Sequence, residues 1–180
     1  MRRRDRVRHL ANWVNLSTPV GLLVAGLGGA RVRRRRPEGV FVAEGYRFRF
    51  PIAGAFTIGD VVTTASTIAD LEERTPGVLA HEVRHAWQYA VTGVWFLPAY
   101  LAGSAWSLAR TGSPALRNPW ERHAGLVTGG YARPDGAPIG PVWTFRGRPG
   151  LGALVRPSRG TAGGAPTGPA GDAPAGGAGA

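Results

Sequence analysis

Hydrophobic and polar residues change their spacing several times along this chain, and each change marks a segment. Residues 10–30, LANWVNLSTPVGLLVAGLGGA, carry no charge. Their length suits a bilayer span. Yet Asn12, Asn15, Ser17, Thr18 and Pro19 make insertion costly, and the continuous apolar run is only Val20–Leu27. Ser17 or Thr18 ahead of Pro19 reads as a helix start, and Gly28-Gly29 as its stop. A helix lying on an anionic membrane surface is the leading reading, with a buried core helix and a true span as alternatives. Arginines flank the segment on both sides, so no charge asymmetry orients a span. A cleaved signal peptide fits less well, because RVRRRR is an unusual mature start.

Residues 39–64 switch to the spacing of strands. Gly39–Gly45 predicts a short strand between glycines. Tyr46-Arg-Phe-Arg-Phe50 alternates aromatic and charged residues, the period of a half-buried strand. Pro51–Gly54 reads as a connection, and the β-branched run Phe56–Thr64 as a further strand. Three antiparallel strands in a meander are expected.

Helical spacing follows. Thr75-Pro76 predicts a helix start, and GVLAHEVRHAWQYAV carries a helical stripe up to Gly93. The uncharged linker Ala86–Ala109 holds Trp87, Trp95, Phe96, Tyr100 and Trp106, and Pro98 predicts a second helix running to Arg110. It reads as core packing against the first helix, with an aromatic wall for a peptide or a lipid-dipping surface as the sharper alternatives. Asn118-Pro119 predicts a third helix start, with Asn118 as cap. From about Arg148 the chain is almost wholly Gly, Ala and Pro, a composition that cannot bury enough surface to fold, so residues 147–180 are expected to be disordered. This divides the chain into a basic and apolar segment (1–38), a folded domain (39–146) and a tail (147–180).

Charge and composition narrow the chemistry. The chain has 180 residues, net charge +11, and 22 basic residues that are all arginine. Arginine interleaved with aromatics can stack on nucleic acid, but no RNA- or DNA-binding motif accompanies it, so that reading stays the weaker one. The absence of cysteine excludes disulfides and thiolate metal sites. His, Asp and Glu are then the available strong metal ligands.

The expected helix contains His81-Glu82-Val83-Arg84-His85. Positions four apart differ by about 40° around a helix, so both imidazoles leave one face and can grip one ion. Glu82 sits one residue along, where its carboxylate reaches a metal-bound water rather than the metal. The bland alternative is a pair of histidines hydrogen-bonded in a core. A third ligand must come from downstream, where Glu121, His123 and Asp135 are the candidates. His123 lies about 200° from Glu121 on the same helix, so the two do not easily address one ion. Glu121 is the better choice, although an acid in a first helical turn is also favoured by the helix dipole alone. Ala124 would let this helix approach the His-bearing one closely. The expected cofactor is Zn2+, and the expected chemistry is peptide hydrolysis by a zinc-bound water that Glu82 activates as general base. Tyr131, Arg122 and His123 are candidates for steadying the oxyanion, with Tyr131 preferred.

The combination HEVRHAWQY, an apolar linker, then NPWERHAG resembles small bacterial gluzincin-type HExxH proteins, often written HExxHxxQ…NPxExxA. The resemblance covers roughly residues 55–131. It implies a zinc metallopeptidase with His81, His85 and Glu121 as ligands, Glu82 as base, and Gln88 as the recurrent glutamine that steadies a ligand or substrate group. One departure stands out. The acid that orients a histidine ligand in larger gluzincins would fall at Gly125, so another group must do that work. The expected fold is α+β, a short antiparallel meander packed on a zincin-like metal-binding helix with two further helices. The expected partner is a peptide or protein substrate, with an anionic membrane surface as a second. The cytoplasm, free or at the membrane, is the expected compartment; oligomeric state stays open. Two other function classes remain: a zinc-binding interaction module without catalysis, and an Arg-rich membrane or nucleic-acid adaptor whose HExxH is incidental.

Overall fold

A computed structural model describes residues 2–48 and 54–139 of the chain. Two helices lead, α1 (Arg3–Val14) and α2 (Ser17–Leu27), followed by strands β1 (Arg31–Arg34), β2 (Phe41–Glu44), β3 (Ala55–Ile58) and β4 (Val61–Thr64). Helices α3 (Ile68–Arg74), α4 (Val78–Thr92), α5 (Phe96–Thr111) and α6 (Pro119–Ala124) complete the α+β architecture. Gly28 ends α2 as expected, but the helix starts earlier than Ser17 or Thr18 ahead of Pro19 predicts: Leu16 is the cap residue, Ser17 the first helical one, and Pro19 lies inside the first turn, where its missing N–H costs nothing. Asn118 caps α6 by accepting the Trp120 N–H at 3.0 Å.

The sheet departs from the expected meander. Its order is β1-β2-β4-β3, with β1–β2 and β3–β4 antiparallel but β2–β4 parallel. The run Phe56–Thr64 does not form one strand. Gly59, in the left-handed region at φ 60°, turns the chain, and Asp60 follows it, so the run becomes a tight hairpin. The second arm is the β-branched stretch Val61-Val62-Thr63-Thr64, buried throughout, which suits it for the interior of the sheet. The Arg-rich stretch after α2, which shows no apolar alternation, forms the fully exposed edge strand β1. Charged residues on an edge discourage pairing with another chain. Tyr46–Phe48 are not a strand; residues 49–53 and the tail from residue 147 lie outside the described residues.

The two faces of the sheet are covered by different helices. Val40, Val42 and Val62 pack with Ile68, Leu71, Val78 and Leu79 of α3 and α4. On the opposite face Ala43 and Val61 pack with Ala25 of α2. Consecutive Val61 and Val62 thus enter opposite layers, as strand alternation requires. Helix α2 sits so close that a Cβ on Gly21 would lie 2.4 Å from the Ile58 carbonyl oxygen.

Helix α4 begins two residues later than Thr75-Pro76 predicts. Its free N–H groups are met from α3, where Glu72 accepts from Gly77 N at 3.1 Å and Leu79 N at 2.7 Å. An acid at a helix N-terminus is the favourable sign for the helix dipole. Helix α5 begins at Phe96 rather than Pro98, after a 3-10 turn over Gly93–Trp95.

Helix α1 was not foreseen as a helix, and it is fixed by a buried charge. Asp60 is fully buried; its Oδ1 accepts from Arg8 Nε at 2.8 Å and Asn12 Nδ2 at 2.9 Å, and its Oδ2 meets His9 Nδ1 at 2.7 Å. Asn12 also donates to the Ala86 carbonyl of α4 at 2.9 Å. Residues 3–34 therefore belong to the same packed body as the helices that follow. Removing one member of a buried ion pair leaves the other charge without a partner. Asp60→Ala should lower unfolding free energy by about 3–5 kcal/mol, read as a fall in the urea midpoint. A change below about 1 kcal/mol would show that the Arg8–Asp60 pair does not hold α1.

Candidate metal centre

His81 and His85 leave one face of α4 and are both buried, as is Glu121 on α6. Their Nε2 atoms stand 3.0 Å apart, and Glu121 Oε2 is 3.1 Å from His81 Nε2 and 3.6 Å from His85 Nε2. Donors bound tetrahedrally to one ion at about 2.0–2.1 Å are separated by roughly 3.3 Å, so this triangle has the size of a metal site. These three residues form a buried group that can hold a metal ion.

The outer hydrogen bonds decide which atoms are free to bind. His81 Nδ1 lies 3.0 Å from the Gly125 carbonyl oxygen, which can only accept, so Nδ1 carries the proton and Nε2 presents a lone pair. Gln88 Nε2 donates to the Trp120 carbonyl at 2.9 Å, which turns Gln88 Oε1 toward His85 Nδ1 at 2.7 Å. His85 Nδ1 therefore donates as well, and its Nε2 is bare. No hydrogen bond of good geometry reaches the buried Glu121 Oε2. Three lone pairs thus converge, and they require a positive charge among them.

Without a metal, a proton serves. Burial works against charging His85, but Glu121, Glu82 and Gln88 outweigh it and raise its pKa above the usual value. Burial would likewise raise the pKa of Glu121, yet contacts with His81, His85 and Tyr100 bring it down to about 2.

Other side chains complete the site. Tyr100 of α5 donates its hydroxyl to Glu121 Oε1, so both carboxylate oxygens have fixed roles. Burial, and then the Glu121 charge, raise the Tyr100 pKa, which keeps that hydroxyl protonated. The Tyr131 ring lies 6.0 Å from the His81 ring, and burial followed by Glu121 and Glu82 keeps its phenol protonated too. Glu82 is buried beside the histidines, and its Oε2 accepts the Thr57 hydroxyl of β3 at 2.6 Å.

The predicted residues divide clearly. His81, His85, Glu121, Glu82, Gln88 and Tyr131 are brought together. His123 is exposed and contacts Gln88 Nε2 at 3.1 Å rather than joining the triangle. Asp135 is exposed in a loop, where it accepts from Ala137 N. Arg122 is exposed and lines a shallow basin with Arg84 and Arg133 on the far side of Gly125. Tyr100 and Thr57 escaped the sequence reading. Tyr100 read as one aromatic among many in an apolar linker, and its only cue is that a buried tyrosine needs a partner for its hydroxyl. Thr57 carries no local signal, because its role depends on the register of β3 over α4.

Gly125 resolves the departure from the gluzincin pattern. Its φ is 101°, a conformation that strains any residue with a side chain, and a Cβ there would press on Arg84 Nη1 at 2.8 Å and Thr128 Oγ1 at 2.7 Å. The backbone carbonyl of the same residue orients His81 instead. No family model, no curated protein and no solved structure matches this chain.

His81→Ala should abolish stoichiometric zinc binding, measured by metal analysis after dialysis. Gln88→Leu should keep the ligands but weaken zinc affinity about ten- to a hundredfold in a chelator competition, because His85 loses the partner that fixes its tautomer. Unchanged affinity in both variants would rule out this triangle as the metal site.

Proposed function

We propose that this chain is a zinc-dependent metallopeptidase of gluzincin-like type. The observation that carries the reading is the convergence of three proton-free donor atoms, with their tautomers set from behind, next to a buried carboxylate that is not one of them. A structural zinc site closes all four positions with protein ligands, whereas a catalytic one keeps a position open for water or substrate. Among the described residues the donor group numbers three. Histidine and carboxylate ligands suit zinc, and zinc bound there would acidify a water and polarise a carbonyl.

The remaining work falls to this chain's own residues. Glu82 is oriented by the Thr57 hydroxyl, which occupies Oε2 and leaves Oε1 for the attacking water. As general base Glu82 takes the proton of that water, then passes it to the departing amine nitrogen as the C–N bond breaks. Tyr131, held protonated, is suited to donate to the oxyanion that forms on the carbonyl oxygen as water adds to the carbon. Tyr100 keeps Glu121 as a carboxylate turned toward the histidines.

Strand β3 supports a peptide as substrate. It lies at the edge of the sheet, packs over α4, and carries Thr57. Among the described residues no strand pairs with its outer side, so its backbone groups are available to an extended peptide by strand addition.

Zinc-loaded protein should cleave members of a peptide library, read by mass spectrometry. Glu82→Gln should retain zinc and lose turnover by about a hundredfold or more. Tyr131→Phe should lower kcat by about a hundredfold with little change in KM. Full zinc occupancy with no cleavage of any peptide by the wild type would reduce the site to a binding module.

A further inference from the structure

The outer surfaces of the helices carry a pattern that the metal site leaves unexplained. On α1 the residues Val7, Leu10 and Val14 are exposed, and on α2 so are Val20, Leu23 and Leu27. Each set follows the i, i+3, i+7 spacing of one helical stripe. Both stripes point away from the packed body and meet at a 75° corner between the helices. A second corner lies at the α4–α5 junction, where Val91, Val94 and Trp95 are exposed, and α5 continues it with Leu97 and Leu101. The two corners are neighbours. Asn15 Nδ2, at the first, donates to the Tyr89 carbonyl at 3.0 Å, and a Cβ on Gly93 would lie 3.5 Å from Asn15 Cβ.

Leu16 forms the tip of the first corner. It is a left-handed residue at φ 64°, the one non-glycine residue with positive φ among those described, and it is 60% exposed. Glycine or asparagine would hold that conformation with less strain and without exposing a large apolar side chain. Strain kept at an exposed leucine points to a use for the side chain.

The exposed charge on the N-terminal helices and on the strand after them is of one sign. Among residues 2–37 the sole acid is Asp5, which is buried, while Arg2, Arg3, Arg4, Arg6, Arg31 and Arg33 are exposed. No acid occurs between Glu82 and Glu121, both of which are buried. Exposed apolar stripes on helices whose exposed charges, at their outer ends, are all arginine match the headgroup region of an anionic bilayer. No single helix among those described is long and apolar enough to cross a membrane, and the α1–α2 pair is bent. Both stripes also lie on the outside of helices whose other faces are packed. This geometry suits shallow burial.

We propose that the paired corners, led by Leu16 and Trp95, dock the protein onto an anionic lipid bilayer. The apolar tips enter the boundary between headgroups and acyl chains, and the arginines at the outer ends of α1 and α2 contact lipid phosphates. None of these residues belongs to the candidate ligand group His81, His85 and Glu121, so docking and metal content are read separately.

Vesicle co-sedimentation of the full chain tests this, with phosphatidylcholine–phosphatidylglycerol vesicles compared with phosphatidylcholine alone. Wild type should bind the anionic vesicles at least about tenfold more tightly than the neutral ones. Trp95→Glu should weaken that binding about tenfold or more. Leu16→Asn should weaken it as well, while the urea midpoint stays level or rises because the left-handed residue is relieved. Zinc content should stay unchanged in both variants, so failure here and failure of the metallopeptidase reading are separate results. The proposal is overturned by absent binding to anionic vesicles, or by binding that persists unchanged in both variants. Salt-sensitive DNA binding in its place, or a dimer dispersed by Trp95→Glu without vesicle binding, overturns it equally.

Discussion

Everything at the metal centre depends on how a six-residue helix is held against a longer one. Helix α6 is too short to satisfy its own backbone, and its last carbonyls need outside donors. Helix α4 supplies them from one face. His81, Arg84 and Gln88, spaced i, i+3, i+7, engage the carbonyls of Gly125, Ala124 and Trp120. Each contact also prepares the site. His81 and Gln88 fix the two imidazole tautomers, and Arg84 ties down the end of α6. Glu121 then has little freedom in where to point. From the far side, α5 locks the start of α6, where Asn118 donates to the Ser104 hydroxyl at 2.9 Å and Gly103 lets the two helices approach. The ligand triangle is thus a by-product of how backbone polar groups are satisfied.

This explains how a backbone carbonyl can orient His81. A carboxylate on a side chain and a carbonyl on the backbone both accept the Nδ1 proton of a histidine, and either one aims Nε2 at the ion. A carboxylate adds negative charge and makes its histidine a stronger base. A carbonyl adds none. The site of this chain therefore concentrates its negative charge on Glu121 and Glu82, and Tyr100 rather than another acid steadies the ligand carboxylate. Adding a side chain at position 125 would push on Arg84 and Thr128 and loosen the helix contact that the carbonyl relies on.

The sequence made the candidate site more readable than the topology. HExxH on a helix, the Asn118-Pro119 start and Glu121 depend on local spacing, which propensity and helical geometry determine. Glu121 converges on the histidines through a fold that spacing cannot supply, yet the choice among Glu121, His123 and Asp135 could be made, because angular position around α6 separates the first two. The sheet was harder. One glycine at φ 60° divides an apolar run into a hairpin, and that division makes β4 an interior strand and its contact with β2 parallel. Strand β1 was hidden because four exposed positions in a row show no alternation. Helix α1 was hidden for a related reason. Its basic turns look like a solvated charge run, and the partner that gives Arg8 a place inside, Asp60, is distant in sequence.

Asp60 also links the front of the molecule to the centre. Asn12 joins Asp60 to the backbone of α4 at Ala86, one residue after the second histidine, and Asn15 joins α1 to α4 again at Tyr89. The N-terminal helices are therefore anchored to the same helix that carries the candidate ligands His81 and His85. Helix α5 has a similar double role, with Phe96 and Tyr100 turned toward the histidines and Leu97 and Leu101 turned outward. Consecutive residues of α5 serve opposite surfaces, so the helix cannot tilt on the outer side without moving the Tyr100 hydroxyl on the inner one. A surface docked through the outer residues would hold α5 in one orientation, and with it the hydrogen bond that keeps Glu121 aimed. Mechanical coupling of this kind needs no large rearrangement, only that a packed helix moves as a rigid rod.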